Sequence, residues 1–181
     1  LVKIYFFKVI GRLYPKNNWH KKLKLSQIQG MSYVDICKLS KDYYHEVVRP
    51  NILTPIIKEL LNRKDENYIT VVVSGGYSIY IKHFCEEFDV DHLVATDIKF
   101  SNNKCEGKIS GLDCMNYNKL KKLSLEINIS NEELKGSISY SDNISDLPLL
   151  KLTDMGVVVS KNKSQNWAKL NNLNEIIWKN H

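Results

Sequence analysis

Three groups of residues have the type and spacing to do chemistry. Val71-Val-Val-Ser74-Gly75-Gly76 ends a β-branched run with a hydroxyl and with backbone N–H groups flanked by no bulky side chain. Where a strand gives way to a helix through glycine, such N–H groups favour an anion. The same three residues also make an ordinary tight turn. Asp142 and Asp146 stand four apart in Ile138-Ser-Tyr-Ser-Asp142-Asn-Ile-Ser-Asp146-Leu-Pro-Leu-Leu150, where a second strand meets a helix. Paired hard oxygen donors suit Mg2+, which keeps several waters and takes one or two carboxylates beside a phosphate. Helix capping and favourable placement in the helix dipole explain the same pair. Lys119 lies in the first turn of a helix that starts near Asn116. A cation there opposes the dipole unless something anionic is near, and the alternative is a solvated lysine. Lys121 and Lys122 read as surface residues.

The elements that position these groups follow from punctuation and periodicity. Residues up to about 50 read as helices: Leu1–Leu13, about Asn17–Ile28, and Tyr33–Val48. Ser32 caps the third with Asp35 at N3, and Arg49-Pro50 ends it. Beyond Pro50 a helix over Ile52–Leu61, with Ile56, Ile57, Leu60 and Leu61 inward, precedes a buried strand over Tyr68–Val73. Helices at Ser78–Phe88, Tyr117–Ile127 and Asp146–Leu152 then alternate with strands at Leu93–Ile98, Ser137–Ser141 and Gly156–Val159. Trp167–Leu170 and Glu175–Trp178 close the chain, and Asn102-Asn103 and Glu106-Gly107 mark turns of a small β excursion reaching Ser110. Alternation of this kind gives an α/β fold with a parallel sheet. The division is a helical part over 1–50 and an α/β core over 51–181.

Bulk properties narrow the function classes. A chain of 181 residues, 43% hydrophobic, buries a core of useful size, which excludes a disordered tail. The net charge of +6 comes from scattered lysines without a run of five like charges. It reads as a solvated surface rather than a nucleic-acid patch. Cys37, Cys85, Cys105 and Cys114 form no zinc-ligand spacing and fit a reducing, cytoplasmic setting. The apolar N-terminus is interrupted by Lys3 and Lys8 and is too short to span a bilayer.

Taken together, a strand ending in Ser-Gly-Gly, a helix-start lysine and Asp-x-x-x-Asp-Leu-Pro, in that order, resemble the haloacid dehalogenase superfamily. The closest branch in pattern is subfamily IB, similar to phosphoserine phosphatase. The resemblance runs over about 45–178 and includes Gly111-Leu-Asp-Cys-Met-Asn-Tyr-Asn-Lys119-Leu-Lys-Lys-Leu123. It implies a Rossmann-like parallel sheet with a helical cap. It also implies a Mg2+-dependent phosphomonoesterase acting on a small phosphorylated metabolite through an aspartyl-phosphate. On matching positions, Ser74 and the Gly75 N–H hold phosphoryl oxygens and Lys119 neutralises charge. Asp142 binds the metal, and Asp146 orients Lys119 or the metal's water shell. Ser145 departs from the asparagine common in relatives. The family's first motif, Asp-x-Asp-x-Thr on the central strand, has no match: Asp89-Val-Asp91 has the spacing but is followed by His92 and lies after the second motif. The expectation is therefore a core whose first strand, with the nucleophile, lies upstream of Leu1, and a chain inactive without it. The competing expectation is a truncated or degenerate phosphate-binding module without turnover.

Overall fold

The computed structural model describes residues 19–127 and 134–178; the expected helix at Leu1–Leu13 lies outside them. Helices α1 (Trp19–Gln27) and α2 (Tyr33–Tyr43) come first, then a π-turn at Tyr44–Val48 and a 3-10 turn at Arg49–Asn51. The expected single helix to Val48 thus gives way to these two turns, and Arg49, ahead of Pro50, keeps right-handed helical dihedrals (φ −55°, ψ −44°) where the sequence led one to expect a break. Ser32 caps α2 as anticipated: its Oγ accepts from the Asp35 N–H and donates to Asp35 Oδ2.

The rest alternates. Helix α3 (Thr54–Asp65) leads to β1 (Val71–Tyr77), α4 (Ser78–Phe88), β2 (His92–Ser101), β3 (Lys104–Ser110) and α5 (Tyr117–Glu126). Strand β4 (Ile138–Ser141), a 3-10 turn at Ile144–Asp146, α6 (Leu147–Leu150), β5 (Met155–Lys161), α7 (Asn166–Leu170) and β6 (Asn174–Trp178) follow. The architecture is mixed α/β with parallel sheets. Strands β1 and β2 are parallel, β3 returns antiparallel beside β2, and β4, β5 and β6 are all parallel. The β2–β3 hairpin is the expected excursion, turned by Asn102 and Asn103 at φ 47° and 62°. Asparagine tolerates that left-handed region better than other non-glycine residues.

Among the described residues, six strands make two sheets of three, not one. Strand β5, central in its sheet, buries Gly156 to Ser160, whereas β1 and β4 are half-buried along their whole length. Among the described residues, one edge of β1 and one edge of β4 have no ladder partner. Side chains join the two sheets instead. Leu149 of α6 packs against the cluster of Val94, Cys114 and Leu123 together with Val71 and Val73. Tyr140 of β4 donates to Glu59 of α3 at 3.1 Å. Leu61 is exposed, contrary to the expectation: α3 turns Ile56, Ile57 and Leu60 partly inward and directs Glu59 to Tyr140, which leaves Leu61 on the outer face.

The helical layer is fastened to the first sheet by backbone and side chains. The Gly30 N–H donates to Cys105 O, and the Cys105 N–H to Met31 O, both at 2.9 Å. At the far end, Tyr44 is buried and donates to Glu87 of α4 at 2.8 Å, while Arg49 Nε donates to both Glu87 oxygens at 2.9 Å. Arg49 is therefore committed to the junction with α4. Tyr43 lies edge-on to Tyr80, and His45 is exposed against the Tyr44 ring.

Candidate functional site

Strand β1 does not stop at Val73, as the glycines led one to expect. Its ladder runs from Val71↔His92 to Ser74↔Ala95 and resumes at Tyr77↔Thr96, so Gly75 and Gly76 are extruded as a bulge. Bulges re-aim backbone groups at strand ends, and here a side chain in place of either glycine would displace its neighbours. A Cβ on Gly75 would collide with Met115 Sδ and come within 3.3 Å of the Cys114 carbonyl; one on Gly76 would meet the Tyr80 hydroxyl and Ile81. Inside the bulge, the Gly76 N–H donates to Ser74 Oγ at 3.0 Å. Because that bond occupies an oxygen lone pair, the Ser74 hydrogen remains to be donated outward.

Lys119 is not a solvated lysine. It is buried in the first turn of α5, and its Nζ is 2.7 Å from Asp146 Oδ1, with the two side chains 10% and 11% exposed. Asp146 is held from its other side by Ser141 Oγ, which donates to Oδ2 at 2.8 Å. Ser145 Oγ approaches Oδ1 at 3.4 Å, and the Ser145 N–H donates to Asn143 Oδ1 at 2.9 Å. Asp142 is exposed at the carboxyl end of β4. The two carboxylates thus have different surroundings, one paired and buried, the other open to solvent.

The Lys119–Asp146 pair fixes the relation between the halves. Asp146 follows the end of β4, and α5 follows the loop at Asp113–Cys114 that is anchored to Thr96 near the end of β1. The carboxyl ends of β1 and β4 therefore lie on the same side, as binding crevices in parallel sheets require. Among the described residues no three of His, Cys, Asp or Glu gather as a metal-holding group. A Mg2+ ion needs fewer protein ligands, and the exposed Asp142 carboxylate near Asp146 fits that hard-oxygen chemistry.

Lys122 corrects the surface reading. It is buried, 2.6 Å from Asp97 and 3.3 Å from Glu126, and donates to the Ala95 carbonyl. Burial lowers its pKa, but the bonds and charges of Asp97 and Glu126 outweigh this and hold it above the ordinary lysine value. Its position three residues beyond Lys119 placed it on the same inward face, a spacing visible in the sequence. Lys121 is exposed, as expected. Asp89 and Asp91 are structural: Asp89 terminates α4 in the left-handed region and pairs with Lys64, and Asp91 accepts from the Thr70 N–H and hydroxyl at 2.7 Å each. Those Thr70 bonds, the backbone one first, keep the Asp91 carboxyl below its usual range.

A second buried polar group was missed altogether. Lys21 of α1 pairs with Asp113 and approaches Thr96 Oγ at 3.3 Å. Its ammonium lies 5.7 Å from the centre of the Tyr77 ring, and the Tyr77 hydroxyl donates to the Lys21 carbonyl at 3.2 Å. Burial, then the Asp113 charge, push the Tyr77 phenol well above its ordinary pKa.

Comparison with known proteins agrees with the fold. Curated protein sequences give no match. A protein of unknown function from Bordetella pertussis Tohama I has a similar structure, with a TM-score of 0.71 at 20% identity, over 89% of this chain and 74% of that one. A HAD family hydrolase from Salmonella enterica serovar Typhi gives 0.66 at 18% identity, over 96% and 57% of the respective chains. A probable phosphoserine phosphatase from Vibrio cholerae gives 0.61 at 12% identity, over 86% of this chain and 45% of its own. These likenesses establish the fold, and this chain spans only about half the length of the latter two proteins. The family model described as haloacid dehalogenase-like hydrolase matches residues 9–151, most of the chain and all of the site just described, so this chain belongs to the haloacid dehalogenase-like hydrolase family.

Proposed function

We propose that this chain carries the phosphate and cation sites of a Mg2+-dependent phosphomonoesterase that acts on a small phosphorylated metabolite. The observation that carries the reading is the buried Lys119–Asp146 pair, which sets a cation beside the carboxyl ends of β1 and β4. The Ser74 hydroxyl and the Gly75 N–H donate to phosphoryl oxygens. Lys119, aimed by Asp146 Oδ1, offsets their charge and that of the attacking group. Phosphoryl transfer needs little more than such positioning and charge stabilisation. Mg2+ on Asp142, with Asp146 reached through water, would add positive charge at the same oxygens.

The nucleophile is proposed to be an aspartate on a further parallel strand pairing with β1 and β4. The half-buried, unpaired edges of those strands support this, since buried backbone groups seek ladder partners. Residues 1–50 are proposed to act as the cap over the site, and the four free cysteines favour a cytoplasmic setting. The test is hydrolysis of a panel of phosphate esters, with and without Mg2+, by the full-length gene product. Lys119→Ala and Asp142→Asn are expected to lose turnover. Wild-type turnover in both variants refutes the assignment. Beryllofluoride binding without any turnover would identify a non-catalytic phosphate-binding module instead.

A further inference from the structure

We propose that the cavity between α4 and β2 binds a small organic acid, whose carboxylate pairs with Lys82 and whose apolar body lies against Leu93, Ile98 and Phe100. The cavity measures about 290 Å3. That is the lower end of the range for small-ligand sites, enough for a body the size of one aromatic ring. Helix α4 contributes Ser78 and Lys82, and β2 contributes Asp97 with the three apolar residues. Tyr33, at the start of α2, meets the Phe100 ring edge-on at 5.1 Å and holds that wall in place.

The charge of the cavity decides what it takes. Among the described residues, five lysines are buried or half-buried. Four of them face a carboxylate: Lys21 meets Asp113, Lys64 meets Asp89, Lys119 meets Asp146 and Lys122 meets Asp97. Lys82 is the fifth, and no hydrogen bond or ion pair joins it to another described residue. An ammonium drawn partly out of water without a counter-ion costs free energy. The carboxylates near it are already engaged. Glu86, one turn along α4, faces His83 Nδ1 at 3.1 Å. Asp97, in the cavity wall, accepts from Ser78 Oγ at 2.5 Å and from Lys122 Nζ at 2.6 Å. The cavity thus carries one uncompensated positive charge beside an apolar wall. A neutral molecule leaves that charge unmet, and a bare inorganic anion leaves Leu93, Ile98 and Phe100 uncovered. An apolar body ending in a carboxylate answers both, through a charge-assisted bond at one end and burial at the other. None of these side chains belongs to the phosphate or cation groups described above, so the site stands apart from the phosphatase reading.

The test is a titration of the full-length protein, followed by amide NMR, with 3-phenylpropionate and with its neutral counterpart 3-phenylpropanol. The acid is expected to shift the amides of Ser78, Lys82 and Ile98 with a Kd of about 1 mM or tighter, and the alcohol to bind about tenfold more weakly. Lys82→Met keeps the stem and removes the charge; it is expected to weaken the acid about tenfold and leave the alcohol unchanged. Phe100→Ala is expected to weaken both probes, and Lys121→Met, an exposed lysine of α5, to change neither. Acid and alcohol binding equally overturns the proposal, as does full affinity for the acid in folded Lys82→Met. Shifts centred away from Ser78, Lys82 and Ile98, or none up to about 10 mM acid, overturn it as well. If a variant does not fold, the comparison of acid with alcohol on the wild-type protein decides by itself.

Discussion

Replacing Lys119 by Met tests the central pair most directly, because the stem is kept and only the charge is lost. The Lys119 ammonium lies 2.7 Å from Asp146 Oδ1, and both side chains are about nine-tenths buried. At an effective dielectric of about 20 the gross attraction is on the order of 6 kcal/mol, most of it offset by the cost of desolvating both ions. Removing one partner does not return that cost for the other. Asp146 would keep its Ser141 bond and the weaker Ser145 contact but lose its counter-ion. Breaking a buried pair in this way costs about 3–5 kcal/mol, and the surviving Ser141 bond puts the expectation near about 3. For a chain of this size that is a fall of roughly 6–12 °C in Tm.

The decisive comparison is with Lys119→Met/Asp146→Leu. Apolar replacement of both partners of a buried pair is often neutral or better, so the double variant is expected to return to within about 1 kcal/mol of wild type. Urea unfolding of the two singles and the double gives the coupling energy. Ester hydrolysis is expected to stay down by about 10²–10³ in every variant lacking Lys119, since folding can be repaired by apolar packing and charge stabilisation cannot. A Lys119→Met protein within about 0.5 kcal/mol of wild type, or a double variant no more stable than the single, would refute the reasoning.

Two further outcomes follow from packing and linkage. Gly156→Ala puts a Cβ against the Leu150 carbonyl oxygen and within 3.0 Å of its carbon; backbone atoms give way poorly, so a loss of about 2–3 kcal/mol in urea unfolding is expected, and no loss would mean that β5 and α6 are less closely apposed. Glu87 is held below the usual carboxylate range, chiefly by the Tyr44 hydroxyl and then by Arg49, while burial opposes them. A depressed folded-state pKa means that stability is fully present above the unfolded value of about 4.3 and lost as the pH falls through the folded value. Glu87→Gln is therefore expected to melt lower than wild type at neutral pH, with the difference shrinking as the pH drops below about 4. A Tm difference independent of pH would show that the Glu87 charge does not fasten this junction.

The order of the motifs was legible because each is local: a β-branched run before Ser74, a capped helix after Ser32, a hairpin turned at Asn102-Asn103. Charge burial was not legible, because it is decided by partners far along the chain. Nothing near Lys21 announces Asp113, 92 residues away, and Thr96 looks like one more β-branched strand residue. Lys122 was misread for the same reason, since its partner Asp97 is 25 residues back, although its place on the Lys119 face was a usable sign. The Ser74-Gly75-Gly76 bulge was hidden in another way. Two adjacent glycines look like the end of a strand, and only the pairing of Tyr77 with Thr96 shows that the ladder continues past them.

The two aspartates four apart show how spacing and burial divide one motif into two tasks. Sequence spacing alone makes Asp142 and Asp146 equivalent candidates for a cation. Ser141 and Lys119 remove that equivalence: they occupy both Asp146 oxygens, whereas Asp142 stays exposed. An oxygen already bonded to an ammonium is a poor direct ligand for Mg2+, while an exposed carboxylate that retains its water shell is a good one. Direct metal contact therefore falls to Asp142 in the proposed reaction, and Asp146 is the residue through which the β4 end aims Lys119. The same reasoning separates the lysines of α5: Lys119 crosses from one sheet to the other, and Lys122 ties the helix back to β2 of its own sheet. A helix carrying two buried ammonium groups on one face is tolerated only because each has a carboxylate waiting, and those carboxylates come from different sheets. Helix α5 is accordingly the element that sets the distance between the glycine bulge on β1 and the acidic end of β4.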